Sequence, residues 1–213
     1  LEHQPRHRRE VGQRRRVAEP VEFVAGDTAM AAPDVPGAAL IMGEALPQES
    51  RTFRAARHLA LLSRVPALER RVAEADLSPA AADLCRRALA GYVAAAMMMP
   101  YAPFKRAAAD LRHDLEVLQR RFGASFEQVC RRLTTLRRPG AEGVPFHIVR
   151  VDIAGNLAHG FSASGVSIPR HGGLCPRWNV HLAFLSPGRI DTQIAQFPDG
   201  SRYLFVALAL SKA

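Results

Sequence analysis

Residues 170–181, RHGGLCPRWNVH, gather most of the side chains able to do chemistry. His171, Cys175 and His181 are of the types that hold zinc, but no fourth ligand stands near them in sequence. A structural loop with a buried thiol accounts for the same three residues. Arg170, Arg177, Trp178 and Asn179 add cationic donors and a stacking surface. That set suits a nucleotide-like or phosphorylated ligand, with arginine holding phosphates and the indole packing on the ligand or in the core. Arg150 lies on an alternating stretch upstream and is a further cation for the same ligand.

A second stretch, residues 51–62 (RTFRAARHLALL), is similar to the zinc-peptidase helix that carries HExxH. That motif sets two His ligands one turn apart and uses Glu as the base that activates water. Here Arg57, His58, Leu59, Ala60 and Leu61 fill the five positions. One imidazole is present and no carboxylate lies beside it, so neither a catalytic residue nor a metal ligand is expected. No glycine-rich phosphate loop and no paired carboxylates in a pocket offer another catalytic centre.

A third stretch, residues 115–138, carries apolar residues at spacings of three and four, with a break at Gly123. This predicts two helices with Phe122 and Phe126 facing one core. Gly123 ends the first in the left-handed conformation and Ser125 caps the second. The pair has helix-turn-helix spacing, so Gln128, Arg131 and Arg132 are alternative DNA-reading residues. Two packed helices of a bundle fit the same pattern.

The elements that must position these residues follow from the rest of the chain. Four helices are expected before residue 115, over 47–64, 66–75, 78–99 and 101–114. The first has a buried stripe of Phe53, Ala56, Leu59, Ala60 and Leu62. The third is capped by Ser78 with Pro79 at its first position, and its second half, GYVAAAMMM, is apolar all round and expected to be buried. Phe104, Ala108 and Leu111 turn the fourth inward. From Pro139 the pattern changes to strands at 144–153, 162–168, 190–197 and 203–210, with residues 178–184 a short helix or strand. Residues 154–156 make a turn, and Pro198-Asp199-Gly200 is a hairpin signal. The expectation is an α+β chain whose second half is an antiparallel sheet of four or five strands. Residues 38–42 read as an edge strand.

The 213 residues carry a formal net charge of +9, and only Lys105 and Lys212 among the basic residues are lysine. A basic chain favours polyanions such as nucleic acid or phosphate-bearing ligands. Arginine crowds residues 6–16, which read as a basic arm for nucleic acid or as a solvated tail. Three cysteines do not make a disulfide framework, in keeping with a reduced cytoplasmic protein. The longest apolar run, 89–100, is short of the ~20 residues of a membrane span, and no secretory signal is visible. The chain opens on Leu1, so a piece of a longer protein is expected.

Three stretches together carry a family likeness. GYVAAAMMMPYAPF (91–104) resembles the ANxFAxxLLMPxxxF signature of ImmA/IrrE-like metallopeptidase domains, and residues 120–146 resemble the helix pair that follows it there. GGLCPRWNVHLAFLSPGRI with PDGSRYLFVA, within 172–207, resembles the C-terminal domain of the short-chain fatty acyl transcriptional regulators (ScfR). The resemblance implies a basic tail (1–36), a degenerate ImmA/IrrE-like helical domain (37–143) and a sheet domain (144–213). It implies the effector-sensing part of a bacterial regulator that responds to short-chain acyl-CoA without catalysis. Promoter DNA would be bound by a separate N-terminal helix-turn-helix domain that is absent here. An iron–sulfur cluster belongs to full-length relatives, since one such centre needs about four thiolates. A homo-oligomer is compatible with this reading; a membrane partner is not expected. The ligand-facing residues would be Arg150, Arg170, Cys175, Arg177, Trp178, Asn179 and His181. A zinc metallopeptidase, or a DNA-binding module built on 115–136, stands as the alternative.

Overall fold

The computed structural model describes Met42 and residues 46–63, 65–162 and 174–210. The expectations for the arm at 1–36, for most of the edge strand at 38–42, for the strand residues 163–168, and for Arg170 and His171 lie outside them. The chain divides into a compact unit from Pro47 onward and a second made of the residues through Leu46. All that follows concerns the unit from Pro47.

Its architecture is α+β. Six helices come first: α1 (Gln48–Leu62), α2 (Pro66–Ala73), α3 (Pro79–Met98), α4 (Tyr101–Asp110), α5 (Leu115–Phe122) and α6 (Phe126–Thr134). Two strands, β1 (His147–Val151) and β2 (Leu157–Ser162), precede the short α7 (Val180–Ala183). The strands β3 (Asp191–Gln196) and β4 (Arg202–Ala207) close the series. No helix among the described residues is long and apolar enough to cross a membrane.

The helices enclose two apolar clusters. One joins α1, α2 and α3 through Ala60, Leu68, Val72 and Ala90, with Leu61, Cys85 and Val93 packed against them. The other joins the end of α3 to α4, α5 and α6 through Met99, Phe104, Leu118, Val129 and Leu133, with Phe122 and Phe126 at its margin. The stripe expected on α1 is displaced. Ala60 is buried and Leu61 joins the cluster, whereas Leu59 and Leu62 are more than half exposed. At 100° per residue, a core contact centred between Ala60 and Leu61 turns both flanking leucines about 150° away. The second half of α3 is likewise not buried on every side. Ala90 and Ala94 are sealed, but Tyr92 and Met97 are about half exposed, because the two clusters cover only part of the helix circumference.

Helix ends follow local chemistry. Ser78 Oγ accepts a hydrogen bond from Ala81 N at the start of α3, behind Pro79. The helix expected through Asp114 stops at Asp110. Arg112 and His113 adopt positive φ, and the Asp114 carboxylate caps α5 by accepting from Val117 N at 3.0 Å. Gly123 is left-handed (φ 56°, ψ 41°) and ends α5. Ser125 and Gln128 form a reciprocal capping box, with Ser125 N donating to Gln128 Oε1 and Gln128 N donating to Ser125 Oγ.

Residues 138–143, between the last of these helices and the first strand, are tied to the helices. Tyr101 Oη accepts from Arg138 N at 2.8 Å and donates to the Ala141 carbonyl at 3.1 Å. Gly143 N donates to the Leu136 carbonyl at 2.8 Å, and a Cβ on Gly143 would lie 2.9 Å from Leu136 Cβ. Only glycine admits that approach.

The strands form two separate two-stranded antiparallel sheets among the described residues, β1–β2 and β3–β4, where one larger sheet was expected. Each ladder is completed by its sequence neighbour across a tight turn, and the hairpins rest on different supports. Ile148 and Phe146 pack on the helical cluster, whereas β3–β4 packs on Trp178. The second strand comes earlier than expected, at 157–162, since Asp152 closes a turn by accepting from Asn156 N and Nδ2. A register shift between Arg150 and Val151 explains why Phe146, Ile148 and Val151 break strict alternation. At the other turn, Asp199 accepts from Ser201 N and Oγ beside left-handed Gly200.

Candidate functional site

The segment leading into α7 is held as a brace. Trp178 lies 5.0 Å from Phe205 and 6.5 Å from Phe197, centroid to centroid, so its indole packs on the β3–β4 hairpin. Asn179 is 4% exposed. Its Nδ2 donates to the Asp191 carbonyl at 3.0 Å, and its backbone N–H donates to Gln193 Oε1 at 2.9 Å. Gln193 Nε2 in turn donates to the Arg177 carbonyl at 3.0 Å. One side-chain amide thus satisfies two backbone groups that no strand partner reaches. Sequence reasoning passed over Gln193. Its signal was a polar residue on the inward side of a strand, opposite Phe205.

Around this brace the other expected residues divide. Cys175 and Arg177 are exposed. His181 is half-buried, and its Nε2 carries no hydrogen bond among the described residues. A Cβ on Gly155 would lie 3.5 Å from His181 Cε1, so the β1–β2 turn adjoins α7. Arg150 stands near α6, 3.8 Å from Glu127 Oε2. Arg150 and Arg177 therefore present cations, while Trp178 and Asn179 have structural roles that leave them little freedom to meet a ligand.

The cysteines do not gather. Cys85 is on α3, buried Cys130 on α6 and exposed Cys175 ahead of α7. Burial, with Glu127 adding, pushes the Cys130 thiol up to about 12, so it stays protonated. Among the described residues no three His, Cys, Asp or Glu side chains are grouped to hold a metal ion. These thiols do not fit an iron–sulfur centre, which takes about four thiolates.

The helix pair is equally committed to packing. Arg132 is 1% exposed, and its Nε donates to the Met99 carbonyl at 2.8 Å. Gln128 completes the capping box, and Arg131 pairs with Glu127 at 2.8 Å. A side chain buried like Arg132 cannot reach a base edge in this conformation, which removes one of the three DNA-reading candidates from contention.

His147, at the start of β1, is half-buried, and neither ring nitrogen has a hydrogen bond among the described residues. Burial holds its pKa below the ordinary 6.5. The unfolded chain therefore takes up a proton below about pH 6.5 that the folded chain resists, and stability falls as the pH drops through that value. Urea midpoints measured at about pH 7.5 and about pH 5.5 should differ in the native chain, and His147→Gln should reduce the difference. An unchanged difference would remove His147 as its source.

The comparisons with known proteins agree with this anatomy. Residues 25–134 match the IrrE N-terminal-like domain, and residues 135–213 match the C-terminal domain of the short-chain fatty acyl coenzyme A regulators. A propionyl-CoA carboxylase regulator of Cereibacter sphaeroides is 47% identical over 177 residues, 83% of this chain and 38% of that protein. The HTH-type transcriptional regulator PrpR of Mycobacterium tuberculosis is 48% identical over 158 residues, 74% of this chain and 32% of that protein. RamB of the same species is 40% identical over 183 residues, 85% of this chain and 39% of that protein. A solved Mycobacterium tuberculosis transcriptional regulator superposes with a TM-score of 0.72 at 46% identity, covering 76% of this chain and 50% of that one. The chain thus spans about two-fifths of the length of the first of these relatives. With a helical half of the IrrE type joined to this C-terminal half, the chain belongs to the short-chain fatty acyl coenzyme A regulator family.

Proposed function

We propose that this chain is the effector-sensing part of a cytoplasmic transcriptional regulator that responds to a short-chain acyl-CoA and performs no catalysis. The observation that carries the reading is the 47% identity, over 83% of the chain, to a propionyl-CoA carboxylase regulator. In this reading residues 37–143 are a scaffold, and residues 144–213 meet the ligand. Arg150 and Arg177, with Arg170 from the same stretch, hold the phosphates, and Cys175 and His181 border the thioester end. Guanidinium groups suit this role because their planar fork binds phosphate oxygens two at a time. Trp178 and Asn179 contribute indirectly, by fixing the backbone that carries Arg177. Promoter DNA is bound by a helix-turn-helix domain outside this chain, and the ligand acts on it only through unequal affinity for two conformations.

Isothermal titration of the chain with propionyl-CoA tests this. Binding heat and a raised melting temperature are expected, with affinity at least about tenfold weaker in the Arg150→Gln/Arg177→Gln variant. No heat and no melting shift at about millimolar ligand would overturn the reading.

A further inference from the structure

The half-buried Gln193 carboxamide grips the main chain on both sides of Trp178. Its Nε2 donates to the Arg177 carbonyl at 3.0 Å, and its Oε1 accepts from Asn179 N at 2.9 Å. Those two groups belong to the peptide planes that flank the Trp178 α-carbon. Holding both planes fixes the only two soft backbone rotations between them. The surroundings repeat the constraint. Trp178 packs on Phe205, the cross-strand partner of Gln193, and Trp178 N donates to the Cys175 carbonyl at 3.0 Å. From this fixed segment the Arg177 side chain projects exposed, with no ion pair among the described residues.

We infer that Gln193 is a positioning residue for Arg177. It sets the affinity of that guanidinium for the ligand's phosphates without touching the ligand. The inference rests on the acyl-CoA reading above and names a further residue that the reading requires. A guanidinium grips a phosphate with a planar fork, so its direction matters as well as its charge. A backbone already fixed in the bound direction spares the ligand the cost of ordering it. Trp178 and Asn179 also pack the hairpin, and their loss would disturb more than the loop. Both bonds of the Gln193 amide go to the loop itself. Arg150 stands on β1, in the other hairpin, and is the internal control.

The test is a thermodynamic cycle read by titration with propionyl-CoA. Gln193→Met keeps the length of the side chain and removes both hydrogen bonds. It should bind about three- to tenfold more weakly than the native chain, with the melting temperature within a few degrees of native. Added to Arg177→Gln, it should cost nothing further, because the group it positions is gone. Added to Arg150→Gln, it should cost its full factor. A merely structural role would lower affinity equally in both backgrounds. Native affinity in Gln193→Met, an equal loss in the Arg177→Gln background, or a melting temperature lowered by more than about 10 °C would each overturn the positioning role and leave the acyl-CoA reading standing. No binding by the native chain would remove that reading, and this inference with it.

Discussion

Replacing Arg132 by Ala is expected to lower the unfolding free energy by about 3–5 kcal/mol, the range for truncating a large, fully buried side chain or stranding its polar partners. The guanidinium is sealed from solvent and pairs with no carboxylate among the described residues. Other groups take that place. Nε donates to the Met99 carbonyl at 2.8 Å and Nη1 to Thr135 Oγ1 at 3.0 Å. The rings of Tyr92 and Tyr101 lie 5.8 Å from its central carbon. Met99 is the C-cap of α3, so its carbonyl is one of those a helix end leaves without a partner, at the negative end of the helix dipole. Alanine would remove the cation, open a void and strand that carbonyl. Arg132→Lys should recover less than half of the loss, since a point charge cannot bridge Met99 and Thr135 in one plane. Urea unfolding followed by helical circular dichroism measures both. A cost below about 1 kcal/mol for Arg132→Ala would show that the surrounding residues close over the site, and would reopen a surface role for Arg132.

The same residue marks where sequence reading ran out. An arginine at the second of two positions in a helix-turn-helix pattern has the same letters whether it faces solvent or core. Only the placement of the α3 terminus decided it. Local signals were more readable. Ser78, Gly123 and Ser125 act on backbone groups within four residues, and the caps they predict are all present. So is the turn at Gly200, where Asp199 bonds Ser201. The boundary error at 110–114 arose because Asp114 was counted as the end of one helix, when its carboxylate starts the next. The single large sheet failed for a longer-range reason. Alternation shows that a strand has two faces, but not which strand it pairs with.

The stretch around Asn179 shows the same limit at the candidate site. Arg, Trp and Asn in a loop have the composition of a ligand-binding segment. Whether they face a ligand depends on Gln193, fourteen residues away, whose amide fastens the loop to β3. Once that link is known, Arg177 remains as an exposed cation on a rigid support. Under the proposed function, a site built this way would change little on ligand entry, and the signal would travel through relative movement of whole elements. The contact of the β1–β2 turn with His181 and the approach of Arg150 to Glu127 on α6 are two places where such movement would be felt.

Phe104 provides the second large effect. It is completely buried on α4 and meets Phe122 of α5 edge to face, with centroids 5.1 Å apart and planes at 67°. Phe104→Ala should cost about 3–5 kcal/mol, and Phe122→Ala less, because Phe122 is only partly buried. The double variant should cost less than the sum of the two by about 0.5–1.5 kcal/mol, the worth of an edge-to-face pair beyond its buried area. A coupling of zero would mean the rings are independent fillers of one cluster. A coupling in the expected range would locate the connection between α4 and α5 in that ring contact. The left-handed turn at Gly123 follows directly after Phe122 and leads to the cap of α6, so loosening the pair should also lower the protection of the Gln128 amide in hydrogen exchange. Phe104 shares its cluster with Met99, whose carbonyl Arg132 holds. A combined Phe104→Ala/Arg132→Ala chain should therefore be unfolded at 25 °C, since two costs of about 3–5 kcal/mol each, even if they do not fully add, take up most of a typical domain's stability.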